Sequence, residues 1–504
     1  MQTLRDAIDH HAESNPDAPF LFTPEPGRVL SYRELRDAAR SLAAMLRSEG
    51  IAPGEVVSFM LPNGVSAATL FLGAMYAGYV VSPLNLIAQD AHLEYELAHS
   101  DTRRVFCAPE FAARIERMLA NSSRRVRVQA TDPDELPLDS PAELESAPLS
   151  ASSPALLMYT SGTTGLPKGV LLSHRNLMHA GDAVVAGLRL TAADRVLSSL
   201  PLYHVNGQCV ATVSPIIAGG SIVLPHRFSV SQWWPLVDRY RPTWLNMVPT
   251  IVSYLLNGGD LSATQAQACR GVRFGRSASA PLPPDQHRAF ETRFGISVIE
   301  AMGLTECASV AFSNPLDPAQ RKYGSPGLPL GVEARVVAPD GRVLDDGERG
   351  EIQLRGANVM IGYYKAPDLT RQTLAAGGWL ATGDLGFRDR DGFYFITGRL
   401  KELIIKGGEN IAPREIDEAL LKHPAVLEAA AVGIPDAAYG QDILACVVLK
   451  QDVACSEKDL REHCLRELGR FKTPKVFRIV GELPKGASGK VQRLKLLESS
   501  SGAR

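Results

Sequence analysis

Ala155-Leu-Leu-Met-Tyr-Thr-Ser-Gly-Thr-Thr-Gly-Leu-Pro-Lys-Gly-Val-Leu-Leu172 decides how this chain is read. Its two ends, 155–159 and 170–172, are short apolar runs of the kind that form strands. Between them, residues 160–165 are all Thr, Ser or Gly. Such a loop offers closely spaced backbone N–H groups and the hydroxyls of Thr160, Ser161, Thr163 and Thr164. Gly162 and Gly165 permit backbone geometry that other residues resist, and Lys168 adds a point charge. The combination suits a polyphosphate. It is not a Walker loop, because no Gly-Lys-Ser/Thr closes it. Two flanking strands place the phosphates against a hairpin loop and not against a helix N-terminus. A Gly/Ser/Thr loop can also be a plain surface turn; the ordered eleven-residue string 159–169 argues against that reading.

Outward from the hairpin, helix and strand patterns alternate to about residue 324. Ser31-Tyr-Arg-Glu34 has capping-box spacing and opens an amphipathic run with Leu35, Ala38, Leu42 and Met45/Leu46 on one face. Residues 55–60 read as a strand, 67–78 as a closely packed buried helix, and 79–81 as a strand. This alternation predicts an α/β sandwich with largely parallel sheets. From Ser325 the texture shifts to short strands and Asp-Gly turns, which predicts a small β-barrel or meander over 325–397. After Gly398 about 100 residues of α+β pattern follow, with Pro413 opening a helix. The expected domains are 1–398 and 402–504, with the boundary at 399–401. No repeat of 20–50 residues is visible.

Composition sets the outer limits. The chain has 504 residues, 45% of them apolar and 21% charged, with a formal net charge of −2. That is the composition of a globular protein and not of a disordered one. The charge balance shows no basic excess of the kind that nucleic-acid backbones select. The seven cysteines are an odd number and include no Cys-x-x-Cys pair, so reduced thiols and a cytoplasmic location are expected. The segment 67–81 is broken by Gly73 and Gly78 and is shorter than the roughly 20 residues a bilayer span needs. Neither end reads as a targeting or lipidation signal.

The hairpin string resembles the phosphate loop of the AMP-forming, acyl-adenylate superfamily, which includes acyl-CoA synthetases. Family-like segments recur in order along the chain: Pro201-Leu-Tyr-His-Val-Asn-Gly207, Ser277-Ala-Ser-Ala-Pro281, Met302-Gly-Leu-Thr-Glu306, Thr382-Gly-Asp384, Gly398-Arg-Leu-Lys-Glu-Leu-Ile404 and Pro484-Lys-Gly-Ala-Ser-Gly-Lys490. The resemblance implies a fold and a set of roles. The fold is a large N-terminal domain of two α/β subdomains and a small β-barrel, followed by a small mobile α+β domain. By the same resemblance Thr305 contacts the α-phosphate of ATP and Glu306 helps hold Mg2+. Ser277, Ala278, Ser279, Ala280 and Pro281 lie along adenine. Met302 replaces the usual aromatic residue over the base, and a thioether can still pack on a ring. Asp384, in a Gly-Asp turn after Trp379, and Arg399 take the ribose. Lys490 enters the active site for adenylation, where it offsets charge in the transition state. Lys401 is the hinge. Gly408, beside Gly407, lets the pantetheine arm of coenzyme A approach the backbone.

The implied reaction has two steps: a carboxylate and ATP give an acyl-adenylate and pyrophosphate, and coenzyme A then takes the acyl group. Its participants are ATP, Mg2+, coenzyme A and a small carboxylic acid; oligomeric state is not legible. His204 resembles the gate between the substrate channels. The expected acid pocket comprises His204, Asn206, Gln208, Tyr254, Gly303 and Ser309. Gly303 is read as leaving open a pocket that acetate-using relatives close with Trp. The polar set points to a small acid with a second polar group, although Tyr254 and Ser309 stand where malonate and oxalate relatives carry Arg and His. A medium or long acyl chain stays open. So do an enzyme loading a carrier protein and an idle binding relative.

Overall fold

The chain builds four sheets, and a cleft opens where two of them meet the small C-terminal domain. The structure is a computed structural model that describes residues 1–120, 124–136, 138, 147–160, 167–450, 453–485 and 491–498. The first sheet has nine strands. Its centre is parallel: Pro19–Thr23, Ser221–Val223, Arg195–Ser198, Trp244–Met247, Phe274–Ser277 and Val298–Met302 lie side by side in that order. Antiparallel strands close both edges. The second sheet has seven strands, with Arg104–Cys107, Val56–Met60, Val80–Pro83 and Pro154–Thr160 parallel at its centre. Parallel strands buried on both faces read as apolar runs, and Val56–Met60 and Arg104–Cys107 are buried throughout.

Local sequence accounts for the helices that cover these sheets. Tyr32–Ser48 starts at a capping box: Ser31 Oγ accepts from the Glu34 N–H, and Glu34 Oε2 accepts from the Ser31 N–H at 2.7 Å. Every residue of Val65–Tyr76 is buried. A Cβ at Gly73 would stand 3.3 Å from Ala39 Cα, so the glycine lets these two helices touch. Largely apolar packing between the two sheets and their helices forms one continuous core.

The β-rich segment pairs as Glu333–Val337, Gly350–Arg355 and Trp379–Arg388, with Tyr394–Arg399 on the far edge of the long strand. Among the described residues no ladder joins the first strand to the last. Of the two forms its texture allowed, barrel or meander, the pairings give an open antiparallel sheet. The small domain is a fourth sheet built on Val426–Asp436 and Gly440–Leu449, flanked by helices Pro413–Leu421 and Glu457–Lys472. The ladder between the two central strands continues to the Asp436–Gly440 turn. All seven cysteines are free thiols. No helix among the described residues is long and apolar enough to cross a membrane.

Candidate functional site

Pro154–Thr160 and Lys168–Ser173 pair antiparallel, with Thr160 opposite Lys168 at the open end of the ladder. Ser161, Gly162, Thr163, Thr164 and Gly165 lie outside the described residues. Beside the hairpin runs a line of three side chains. The Lys168 ammonium stands 5.3 Å from the centre of the Tyr363 ring. Tyr363 arrives on the short strand Gly362–Tyr363, which pairs with the hairpin. Its hydroxyl donates to Glu306 Oε1 at 3.0 Å. Burial first, and then the Glu306 charge, push the Tyr363 phenol well above its ordinary value, so it remains a donor. Thr305 and Glu306 occupy a single turn, Thr305–Cys307, at the carboxyl end of the strand Val298–Met302. The ends of two different sheets therefore meet here, where α/β folds commonly seat ligands.

A cleft of about 340 Å³ lies next to this line. Ser279, Ala280 and Pro281 form one wall, Met302 and Gly303 another, and Asp384 and Arg399 a third. Ser277 and Ala278 are buried behind the first wall. Ser279 has φ +74°, a left-handed turn that sets the wall's direction. The fourth wall comes from the small domain and includes Leu483, Lys485, Val491 and Arg493. Lys490 lies outside the described residues, between Lys485 and Val491, which bridge each other.

Asp384 was expected in a turn, but it sits inside the ten-residue strand Trp379–Arg388. That strand bulges there: Glu351 faces Leu385 and Gln353 faces Ala381, so three residues, 382–384, are fitted opposite one. Gly383 supplies the positive φ, +71°, that the bulge needs. The bulge turns a carboxylate that is only 2% exposed toward Arg399, its partner across the ladder. Arg399 Nε donates to Asp384 Oδ1 at 2.7 Å. The Asp384 charge holds the Arg399 guanidinium above its ordinary value.

The residues expected around the acid divide. Asn206 begins a π-helix, Asn206–Val213, a feature often found at functional sites. Its Nδ2 donates to Ser279 Oγ at 3.1 Å, which ties it to the cleft wall. The His204 ring packs on Tyr203, with centroids 5.3 Å apart. Gln208 stands apart from the cleft: it is fully buried and its Nε2 donates to the Leu202 carbonyl at 2.6 Å. Tyr254 also stands outside. On the helix Pro249–Leu256, Thr250 and Ser253 face the cleft, while Tyr254 is one step further round and 38% exposed, stacked on Phe228.

The reason for Gly303 differs from the expected one. A Cβ there would fall 2.0 Å from the Ser309 carbonyl oxygen and 2.7 Å from Val310 N. Ala308 and Ser309 are both left-handed, at φ +49° and +71°, and fold the chain back onto residue 303. The glycine is required by that close approach, whatever it does for the pocket. Ser309 is buried within the fold-back, and its N–H donates to Leu304 O at 2.8 Å.

At the boundary with the small domain, Lys401 is exposed on a short turn, Leu400–Glu402, next to the cleft. Gly407 and Gly408, at φ +57° and +86°, make a two-residue hairpin between Ile404–Lys406 and Glu409–Ile411. They are exposed and do not line the cleft, so this arrangement turns Lys485, Val491 and Arg493 inward and the glycine pair outward. Two contributors were not anticipated. Arg493 links Asp417 with Glu402 beside the turn, and Arg276 donates to Asn206 Oδ1 at 3.1 Å from deep in the first sheet. The signal for Arg276 was an Arg inside the otherwise strand-like Phe-Gly-Arg-Ser.

Comparison with known proteins matches residues 8–364 to the AMP-binding enzyme family and residues 415–490 to the AMP-binding enzyme C-terminal domain. A sulfoacetate–CoA ligase of Cupriavidus necator is 55% identical over 98% of this chain and 97% of its own. An oxalate–CoA ligase of Arabidopsis thaliana is 35% identical over 97% of each. The crystal structure of ATP-bound MatB from Rhodopseudomonas palustris superposes with a TM-score of 0.91 at 32% identity, covering 99% of this chain and 98% of that one.

Proposed function

The chain belongs to the AMP-binding enzyme family and is an AMP-forming acyl-CoA ligase; from that premise we propose that its substrate is a short acid with a second anionic group, of which sulfoacetate is the first candidate. In the first half-reaction the acid's carboxylate attacks the α-phosphorus of ATP and pyrophosphate leaves. In the second, the thiol of coenzyme A attacks the acyl carbon and AMP leaves. Neither step needs an enzyme nucleophile. The catalytic work is positioning and charge compensation.

The observation that carries the reading is the convergence of four separate parts of the chain on one cleft: 279–281, 302–303, 384 with 399, and Lys485 with Val491 and Arg493. The assignments follow from it. Asp384 accepts the ribose hydroxyls while Arg399 fixes its orientation. Ser279, Ala280, Pro281 and Met302 pack on adenine, and the hairpin with Lys168 takes the phosphates. Glu306 is a lone carboxylate near that hairpin, and no group of three His, Cys, Asp or Glu suitable for a metal exists among the described residues. That donor set suits Mg2+, which is normally bound through one or two carboxylates, waters and substrate phosphates and not through a protein cage. Thr305 reaches the α-phosphate, and Lys490 pairs it with the incoming carboxylate. Lys401 is the pivot about which the small domain would bring Gly408, which faces away from the cleft here, in for the coenzyme A step.

Purified enzyme should release pyrophosphate and form AMP only when an acceptable acid is present, and form a thioester only when coenzyme A is added. Lys490→Ala should depress acid-dependent ATP–pyrophosphate exchange while sparing thioester formation from supplied acyl-adenylate. Equal loss of both half-reactions would remove Lys490 from its role. Acylation of a phosphopantetheinylated carrier in preference to coenzyme A would replace the proposed acceptor.

A further inference from the structure

Three neighbouring parallel strands change character together at their carboxyl ends. On the face turned toward the other sheet, Arg195–Ser198 carries Val196 and then Ser198. Trp244–Met247 carries Trp244 and then Asn246, and Phe274–Ser277 carries Phe274 and then Arg276. The register sets Ser198 opposite Asn246 and Asn246 opposite Arg276, so the polar residues form a row across the sheet. Val196, Trp244 and Phe274, one layer below, belong to the main apolar core. Ser198 and Asn246 are fully buried and Arg276 is 3% exposed.

This row is short of partners. Among the described residues the Arg276 side chain makes a single hydrogen bond, to Asn206 Oδ1, and no carboxylate lies within ion-pairing distance of it. Burial lowers its pKa to about 10, which still leaves it charged at neutral pH. Asn246 donates weakly to Ser198 and Asn206, and its Oδ1 meets no donor among the described residues. A buried cation without a counter-ion is costly. The layer below shows that apolar side chains fill this face well, so the row costs stability without serving the core.

We propose that Arg276, with Asn206 and Asn246, is the counter-site for the second anionic group of the acid, a sulfonate or carboxylate close to the reacting carboxylate. The inference rests on the ligase reading above. The connection to the cleft is short: Arg276 donates to Asn206, and Asn206 donates to Ser279 of the cleft wall. An acid whose carboxylate meets ATP beside Ser279 and Gly303 points its other end at this row. Only a short acid can span the two. The guanidinium fork matches either anion in two-point geometry. Arg276 thus supplies the positive charge that Tyr254 and Ser309 do not.

The test compares sulfoacetate and malonate with two acids lacking the charge, methylsulfonylacetate and propionate, by pyrophosphate release. In the native enzyme kcat/KM should favour a charged acid over methylsulfonylacetate by about a hundredfold or more, since a site built for a polar group rejects an analogue without it. Which of sulfoacetate and malonate is preferred distinguishes the two anions. Arg276→Met should lose about that factor for the charged acids and little for the neutral ones, with KM for ATP within about threefold of native. Arg276→Lys should recover part of the loss. If Arg276→Met does not fold, the native preference and the lysine variant decide. Equal turnover of sulfonate and sulfone by native enzyme overturns the inference, as does a uniform loss across all four acids. Native protein that makes no AMP from any acid defeats the ligase reading itself.

Discussion

Two buried cations in this molecule are handled in opposite ways. Lys406, at the end of a strand in the small domain, donates to Asp442 at 2.6 Å, and both side chains are buried. The rings of Tyr439 and Phe471 stand 5.5 and 5.4 Å from its ammonium. Everything that a buried charge requires is supplied by the protein. Arg276, in the large domain, has one neutral hydrogen-bond partner and no carboxylate among the described residues. A charge satisfied internally has no capacity left for a ligand and serves the fold. A charge left unsatisfied is a standing cost, and proteins tolerate such costs where function needs them. The first holds up the Gly407–Gly408 hairpin; the second waits on the acid.

The largest effect should come from breaking the satisfied pair. Lys406→Met leaves Asp442 buried without a cation and should cost about 3–5 kcal/mol in denaturant unfolding. Lys406→Met with Asp442→Leu should return most of that loss, because removing both charges is often neutral or better. If the single and double variants are equally unstable, packing and not charge governs the site. The next effect concerns a third buried ionisable group, Glu300, which takes another course by keeping its proton. Burial raises it from 4.5 to about 7; its Oε1 accepts from Leu282 N–H, and its Oε2 has no partner among the described residues. Between pH 4.5 and 7 the unfolded chain ionises this group while the folded chain holds the proton. Stability therefore falls as pH rises through that window and levels off above it. Glu300→Gln keeps the acceptor and removes the titration. Its unfolding free energy should be flatter across the window, with a gain over native on the order of 2 kcal/mol at pH 8. A native profile with no decline between pH 5 and 7 would reject the raised value.

What the sequence made legible follows the same division. The hairpin flanks, the Ser31 capping box, the Pro413 helix and the positions of Ser279, Met302 and Asp384 were visible, because each depends on local spacing or on an ordered string of residues. At three positions the structural reason is non-local. Gly303 is dictated by a backbone approach from Ser309, Asp384 by a bulge against Glu351 and Gln353, and Tyr254 by helical phase relative to a wall on other segments. None of these is encoded within a few residues. Arg276 was missed because its meaning lies across three strands: Ser198, Asn246 and Arg276 are far apart in the chain and adjacent only through the sheet's register. An arginine in the strand-like Phe-Gly-Arg-Ser marks an oddity, but the run alone does not say what it faces.

The smallest expected change is the one that bears hardest on the contrast. Arg276→Met removes a charge that the folded protein does not compensate and replaces it with a side chain of comparable length that can pack against the apolar layer below. The lost hydrogen bond to Asn206 works against that gain, at about 1 kcal/mol for a typical bond. Methionine's flexibility should let it fill the irregular space. The two contributions nearly cancel, so unfolding of Arg276→Met should lie within about 1 kcal/mol of native, on the stabilising side if desolvation outweighs the bond. Lys406→Met in the same assay supplies the scale. Adding the charged acid separates the two sites further: it should stabilise native enzyme in proportion to its binding and leave Arg276→Met unmoved. A loss near that of Lys406→Met, with no change in acid preference, would make Arg276 a structural cation like its counterpart and erase the distinction between them.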